Sequence, residues 1–328
     1  MLAKKEEVSS ALFTFTPVKP FEPVSGTSVP QGPEWIHQIK WDGVRMLSYY
    51  DGETCRLFNR KGNERTRLYP ELTEPSEYCS ASSFILDGEV IALAVDGKPS
   101  FHEVMKRDAI RKQDKIRFAA GAVPVTYMVF DILYCEGEWV TSRKLAERQR
   151  LLAEVLSPGK FVQSVGSFAD GDGLFKLMRE QGMEGIVSKD SGSVYALDGK
   201  DKRWVKVKNY GDLIAVIGGF TLNGGAINAV LAGVYDGAGR LIYIGHVGTG
   251  KLTRGDWTRL TAELKPDVIS ECPFANRHPE MKGATWVKPR VAMKVQYTEW
   301  RWQEGRTLRQ PSIQAFVEAE PAECRFPF

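Results

Sequence analysis

A lysine stands between apolar neighbours and an acid–glycine pair in Ile39-Lys40-Trp41-Asp42-Gly43-Val44-Arg45, with an arginine five positions on. A primary amine is a nucleophile only when uncharged, and a free lysine keeps its proton up to a pKa of about 10.4. Burial and neighbouring cations would lower that value and arm the amine. The Asp42-Gly43 turn would fix Lys40 at a strand end. Alone, the segment reads more readily as an ordinary strand-edge lysine followed by a hairpin turn, because Lys-x-Asp-Gly is only four positions. Four further segments add matching chemistry. Asp87-Gly88-Glu89 places a carboxylate after the apolar run Phe84-Ile85-Leu86. Tyr127-Met128-Val129-Phe130-Asp131 offers a ring able to stack on a purine beside an acid, although Asp131 could equally cap a turn. Glu184 precedes a short apolar strand at Ile186-Val187. In Arg203-Trp204-Val205-Lys206-Val207-Lys208, strand alternation aims Lys206 and Lys208 the same way, a pair suited to a polyphosphate.

The elements that would hold these residues are short strands and helices. Apolar runs at Met46–Tyr50, Phe84–Leu86, Val90–Ala94, Val125–Leu133 and Ile186–Val187 alternate with turn signals such as Asp51-Gly52, Asp87-Gly88 and Asp96-Gly97. One helix is expected after Ser142, and a second from Leu174 to Gln181 with Gly182 as its C-cap. Residues 1–33, with five prolines, read as an extended arm wrapped on the surface. After Asn209-Tyr210-Gly211-Asp212 the pattern becomes all strand: Leu213–Phe220, Ala229–Tyr235, Leu241–Val247 and Val291–Tyr297. One helix, Asp256–Leu264 with Asp256 as N-cap, interrupts it. That suits a small closed barrel such as the OB-fold, or a sandwich.

Composition excludes several classes. With 43% hydrophobic and 26% charged residues the chain is a folded domain, not a disordered one. A net charge of +3, from 44 basic and 41 acidic side chains, means that any nucleic-acid surface must come from local clustering. Lys282, Lys288, Arg290 and Lys294 are one such cluster, and Trp300 and Trp302 could stack on bases or pack in the barrel. No apolar run is long enough to span a bilayer, and the first ten residues lack the apolar core of a secretory signal. Five cysteines without a CxxC pair argue against disulfides or structural zinc and fit a reducing cytoplasm, and the four scattered histidines suggest no metal cluster.

In order, Lys40-Trp41-Asp42-Gly43-Val44-Arg45, Leu86-Asp87-Gly88-Glu89, Val129-Phe130-Asp131, Glu184-Gly185-Ile186-Val187 and Trp204-Val205-Lys206-Val207-Lys208 resemble motifs I, III, IIIa, IV and V of the covalent nucleotidyltransferases. These comprise ATP- and NAD-dependent DNA ligases, RNA ligases and mRNA capping enzymes. The likeness is greatest to bacterial ATP-dependent ligases of the LigC and LigD type, which serve end joining and repair. Asn59–Asn63, Gly245–Gly250 and Leu308–Ser312 add to it.

The resemblance implies an α+β nucleotidyltransferase (adenylation) domain over residues 1–208, arm included, followed by a β-barrel OB-fold domain over 209–328. Lys40 would carry AMP covalently after attack on ATP. Arg45 and Glu89 would hold the ribose. Gln38 and Ile39 would line the adenine site, and Phe130 would stack on the base with Ile186 or Val187 opposite. Arg60 would contact phosphate, including the 5′-phosphate of a nick. Glu184, with Glu89, would hold Mg²⁺ or Mn²⁺. Lys206 and Lys208 would act with Lys40 in catalysis by binding the α-phosphate. Arg309 would sit in the last barrel motif near the leaving pyrophosphate. The barrel would swing about Asn209–Asp212 between steps. One departure stands out: Gln38 replaces the acid that many relatives carry two residues before the lysine. The implied enzyme is a near-minimal, monomeric DNA ligase in the cytoplasm, associated with the nucleoid and away from membranes. It would act on nicked or broken duplexes, with a Ku-type end-joining partner. The alternatives are an RNA ligase or other covalent nucleotidyltransferase, and a non-catalytic nucleic-acid-binding protein. The intact lysine and acids speak against the last.

Overall fold

Phe21, on the N-terminal arm, is buried among aromatic side chains, so the arm is more than a surface wrapping. The computed structural model describes residues 16–328 apart from 113, 224, 249, 251, 318, 321–323 and 327–328. The first fifteen residues of the arm and Thr249 of the barrel motif therefore lie outside the described residues. The chain divides into two compact units, Met1–Asn209 and Tyr210–Phe328.

In the first unit the strands are β1 (Glu22–Ser25), β2 (Trp35–Ile39), β3 (Val44–Tyr50), β4 (Cys55–Asn59), β5 (Phe84–Ile91), β6 (Thr126–Cys135), β7 (Glu138–Trp139), β8 (Val162–Ser164), β9 (Gly185–Asp190) and β10 (Lys200–Lys208). The helices are α1 (Phe101–Asp108), α2 (Asp114–Ala122), α3 (Leu145–Val155) and α4 (Gly171–Glu180). They form two sheets, one in the order β1-β10-β9-β2 and one in the order β4-β3-β5-β6-β7, with β8 also on β6. The arm supplies β1, an edge strand with a register shift at Pro23/Val24, the kind of place where a sheet tolerates proline.

Alternation along each strand decides which side chains meet. On β5, Phe84, Leu86 and Val90 join the core beneath the larger sheet, with Val104, Leu152 and Tyr127. Ile85 points the other way, into an aromatic layer with Phe21, Leu47, Tyr195 and Trp204 from both sheets. Asp87-Gly88, expected as a turn, instead lies inside one continuous strand, kinked by a register shift at Asp87/Gly88. Gly88 is required there because an added Cβ would lie 2.6 Å from the Met128 carbonyl oxygen. Asp131 is not a turn cap either. It sits within β6, fully buried, and takes a two-pronged pair from Arg148 of α3 at 2.8 and 2.9 Å. Ile186, Val205 and Val207 pack against α4 through Leu174 and Met178. Helix α4 starts earlier than expected, with Asp170 accepting from the Gly173 amide, and Gly182 past its end takes a positive φ of 64°.

The second unit holds β11 (Gly211–Asn223), β12 (Ala226–Tyr235), β13 (Leu241–Val247), α5 (Arg254–Leu264), β14 (Val268–Ile269), β15 (Thr285–Val287), β16 (Ala292–Tyr297) and β17 (Ser312–Val317). Antiparallel pairing runs β13-β12-β11-β16-β17, and a bridge between Gly248 and Ser312 joins the end of β13 to β17, curling the sheet into a barrel. Helix α5 is capped by Thr253. Asp256 closes a capping box with it and is not the N-cap. Trp300 packs against Phe326 and Tyr297, the packing alternative for that residue. The basic cluster is partly neutralised: Arg290 pairs with Asp267, and Lys294 with Asp212 at 3.3 Å.

Candidate active site

Strand register gathers the reactive groups. Ile39 lies opposite Ile186, and Gly185 opposite Lys208. Lys40, one residue beyond β2, Glu184, one residue before β9, and Lys208, the last of β10, therefore fall at the same end of one sheet. The Lys40 amide donates to the Gly185 carbonyl at 2.9 Å, which fixes that end. Segment 40–43 is not a hairpin. It carries the chain from the smaller sheet (β2) to the larger (β3), so Lys40 stands where the two sheets meet. Gly43 permits the crossing: a Cβ there would lie 2.2 Å from the Val90 carbonyl oxygen.

The Lys40 ammonium pairs with Glu184 at 2.5 Å, and Lys208 pairs with the other Glu184 oxygen at 3.2 Å. Desolvation alone would raise the Glu184 carboxyl, but these two ammonium groups outweigh it and hold its pKa below the ordinary value. Lys206 shifts downward, chiefly by burial and then by repulsion from Lys208 and Lys40. Glu89 is pushed up to about 7, burial outweighing Lys40 and Arg45 while Glu184 and Asp42 repel its charge.

Beside this cluster lies a pocket lined by Gln38, Ile39, Lys40, Arg45, Glu89, Phe130 and Val187, together with Lys189, Trp204, Trp41 and Pro23. It opens between the two sheets. Gln38, Val187, Lys189 and Trp204 come from the smaller sheet, and Arg45, Glu89 and Phe130 from the larger. Val187, and not Ile186, faces the cavity. Ile186 lies on the opposite face of β9 in the core under α4, because neighbouring strand residues point to opposite sides. Arg45 is committed to Asp87 by two bonds of 2.5 and 2.6 Å and to the Phe21 carbonyl at 3.2 Å. Its guanidinium also lies 4.6 Å from the Phe130 ring centre. Arg60 is not in the pocket. It is more than half exposed and pairs with Glu22 at 3.3 Å. In the second unit Arg309 pairs with Glu299 at 3.8 Å.

Sequence reasoning missed Lys189 and Trp204. Lys189 is buried, and its amine has no hydrogen-bond partner. It lies 4.2 Å from the Phe130 ring centre and 4.0 Å from that of Trp204, with its pKa pulled down to about 7 chiefly by burial. Its signal was its place two residues after Val187, on the same strand face. A larger hollow of about 1110 Å³ lies in the second unit between α5 and β17. Ion pairs such as Arg290–Asp267 line it, and none of the nucleotidyltransferase motif residues do.

Residues 1–208 match the ATP dependent DNA ligase domain, and residues 223–318 the ATP dependent DNA ligase C terminal region. The chain belongs to the ATP-dependent DNA ligase family. Its fold is that family's nucleotidyltransferase domain followed by an OB-fold domain. Among relatives of the ligase, the multifunctional non-homologous end joining DNA repair protein LigD of Mycobacterium tuberculosis is 31% identical over 94% of this chain, which spans 39% of that protein's length. A DNA ligase of Thermococcus fumicolans is 27% identical over 94% of the chain and 57% of its own. A solved mycobacterial DNA ligase D complexed with ATP and MES superposes with a TM-score of 0.53 at 30% identity, covering 94% of this chain and 97% of that one. The ligase domain of M. tuberculosis LigD gives 0.51 at 29%, covering 94% and 98%.

Proposed function

We propose that this chain seals nicks or breaks in duplex DNA with ATP through AMP held on Lys40, in end-joining repair. The observation that carries this is the meeting of Lys40, Glu184 and Lys208 at the mouth of a pocket containing a stacking ring. ATP would enter with its base against Phe130 and Val187, its ribose toward Glu89 and Arg45, and its α-phosphate toward Lys206 and Lys208. An ammonium bound to a carboxylate cannot attack, so the Lys40–Glu184 pair must open first. Lys208 stays on Glu184 when Lys40 leaves, so that carboxylate does not lose all its compensation. The freed ammonium gives up one proton to solvent; the resulting amine attacks the α-phosphorus, forming a P–N bond as the bond to pyrophosphate breaks, and the second proton on nitrogen then also passes to solvent. AMP passes to the 5′-phosphate of the break, and the 3′-hydroxyl displaces it. Lys206 and Lys208 stabilise charge on the α-phosphorus oxygens.

A divalent ion fits the donor set. Glu89 and Glu184 are two nearby carboxylates, and the Glu89 pKa is raised chiefly by burial and further by repulsion from Glu184 and Asp42, a repulsion that a cation between them would relieve. Among the described residues no group of three or more histidine, cysteine or acidic side chains could hold a metal by itself, so substrate phosphates would have to complete the coordination. Glu184 and Glu89 would hold Mg²⁺ or Mn²⁺, which would neutralise triphosphate charge. A Ku-type partner would follow if the chain serves the same repair route as LigD.

The test is covalent labelling. Wild-type protein with labelled ATP and Mg²⁺ should carry AMP through a denaturing gel, and Lys40→Ala should carry none. Nicked DNA should then be sealed with ATP and not with NAD. Label persisting on Lys40→Ala would remove that residue from its role.

A further inference from the structure

The residue two before the lysine is an amide, Gln38, and an amide has to be oriented. A carboxylate presents oxygen on either prong, whereas glutamine presents an acceptor or a donor depending on which way its head is turned. Gln38 is buried on the pocket wall. Its Nε2 donates to Ser167 Oγ at 3.0 Å and, over a long 3.5 Å, to Gln149 Oε1. Gln149 Nε2 in turn donates to the backbone carbonyl of Phe130 at 2.7 Å. Both N–H groups of Gln38 are thus engaged by residues outside the pocket lining, and no hydrogen bond from the described residues to its carbonyl oxygen is present.

We propose that Gln149 and Ser167 are positioning residues for base recognition: they clamp the Gln38 amide so that Oε1 faces the nucleotide, and Gln149 ties that amide to the strand segment bearing Phe130. The helix carrying Gln149 is fixed independently, because its neighbour Arg148 makes the buried pair with Asp131 beside Phe130. The clamped oxygen accepts from the exocyclic amino group at position 6 of adenine. It repels the carbonyl oxygen that guanine and hypoxanthine carry there. If the amide turned over, that preference would reverse. The inference rests on the pocket being the nucleotide site.

The test compares ATP with ITP, which differs from ATP at the 6-position, by single-turnover labelling of Lys40. Gln149 is half-buried and Ser167 exposed, so Gln149→Ala and Ser167→Ala are expected to fold. Each should lower the ratio of ATP to ITP labelling efficiency at least tenfold, mainly by raising the concentration of ATP needed. Gln38→Ala should collapse the ratio, and adding Gln149→Ala to it should change the ratio little further. Equal losses with both nucleotides, leaving the ratio at the wild-type value, would overturn the clamp and leave Gln149 a packing residue. Failure of the wild-type protein to label with any nucleotide would instead overturn the function proposed for the pocket.

Discussion

Glu89, like Lys189, is a residue whose charge is sensitive to conditions near neutrality. Its folded carboxyl titrates at about 7, above the ordinary 4.5. Between these values the folded chain keeps a proton that the unfolded chain has lost, so Glu89 makes stability fall as pH rises from about 4.5 to 7, then level off. Glu89→Gln removes that cost. It should raise stability at pH 8 by on the order of 1–2 kcal/mol, partial exposure being allowed for, and flatten the melting temperature across the window. If Glu89 must be ionised to meet a divalent ion, wild-type labelling should climb with pH through about 7, and Glu89→Gln should be slow at every pH. Thermal melts and labelling rates from pH 5 to 8.5 check both. Motif residues such as Lys40, Glu184 and Lys208 were legible because their types and order are unusual. Lys189 was not, since a lysine after a short strand usually faces water, and only the packing of two sheets around Phe130 and Trp204 removes it from solvent.

At the level of elements, the crossover from β2 to β3 matters most. It places Lys40 between sheets, and a Cβ on Gly43 would press into the Val90 carbonyl. Gly43→Ala should therefore cost about 1–3 kcal/mol in denaturant unfolding, by overpacking against fixed backbone. It should also slow labelling by more than the lost stability explains, because the adjoining lysine moves. Normal labelling in a stable Gly43→Ala protein would show that the crossing tolerates displacement. Periodicity located most strands and the α3, α4 and α5 helices. It misread Asp87-Gly88, because an Asp-Gly pair is the usual turn signal. Here Arg45 and Tyr195 satisfy Asp87 inside the protein, at 2.5 and 2.7 Å, and the strand runs on.

For the whole molecule, the near balance of charge makes DNA binding a matter of which cations are free. Lys282 and Lys288 are exposed, whereas Arg290 and Lys294 are engaged by acids. Affinity for a nicked duplex should fall linearly with the logarithm of salt concentration, and Lys282→Ala or Lys288→Ala should each reduce that slope by about 1. Arg290→Ala should change it much less. Titrations from 50 to 300 mM salt decide this, and an unchanged slope in both lysine variants would place the DNA elsewhere. Among the described residues no helix is long and apolar enough to cross a membrane. The sequence alone determined the order of the five motifs, and with it the candidate nucleophile, the two acids, the ring and the paired lysines proposed for the site, because these types stand at distinctive places along strands. Only the tertiary structure decided which side chains face one another. It turned Ile186 into the core and Val187 toward the pocket, brought Lys189 under Phe130, and set Gln149 behind Gln38. The reason is that facing depends on strand parity, on register between distant strands and on the stacking of two sheets, none of which is written in local spacing.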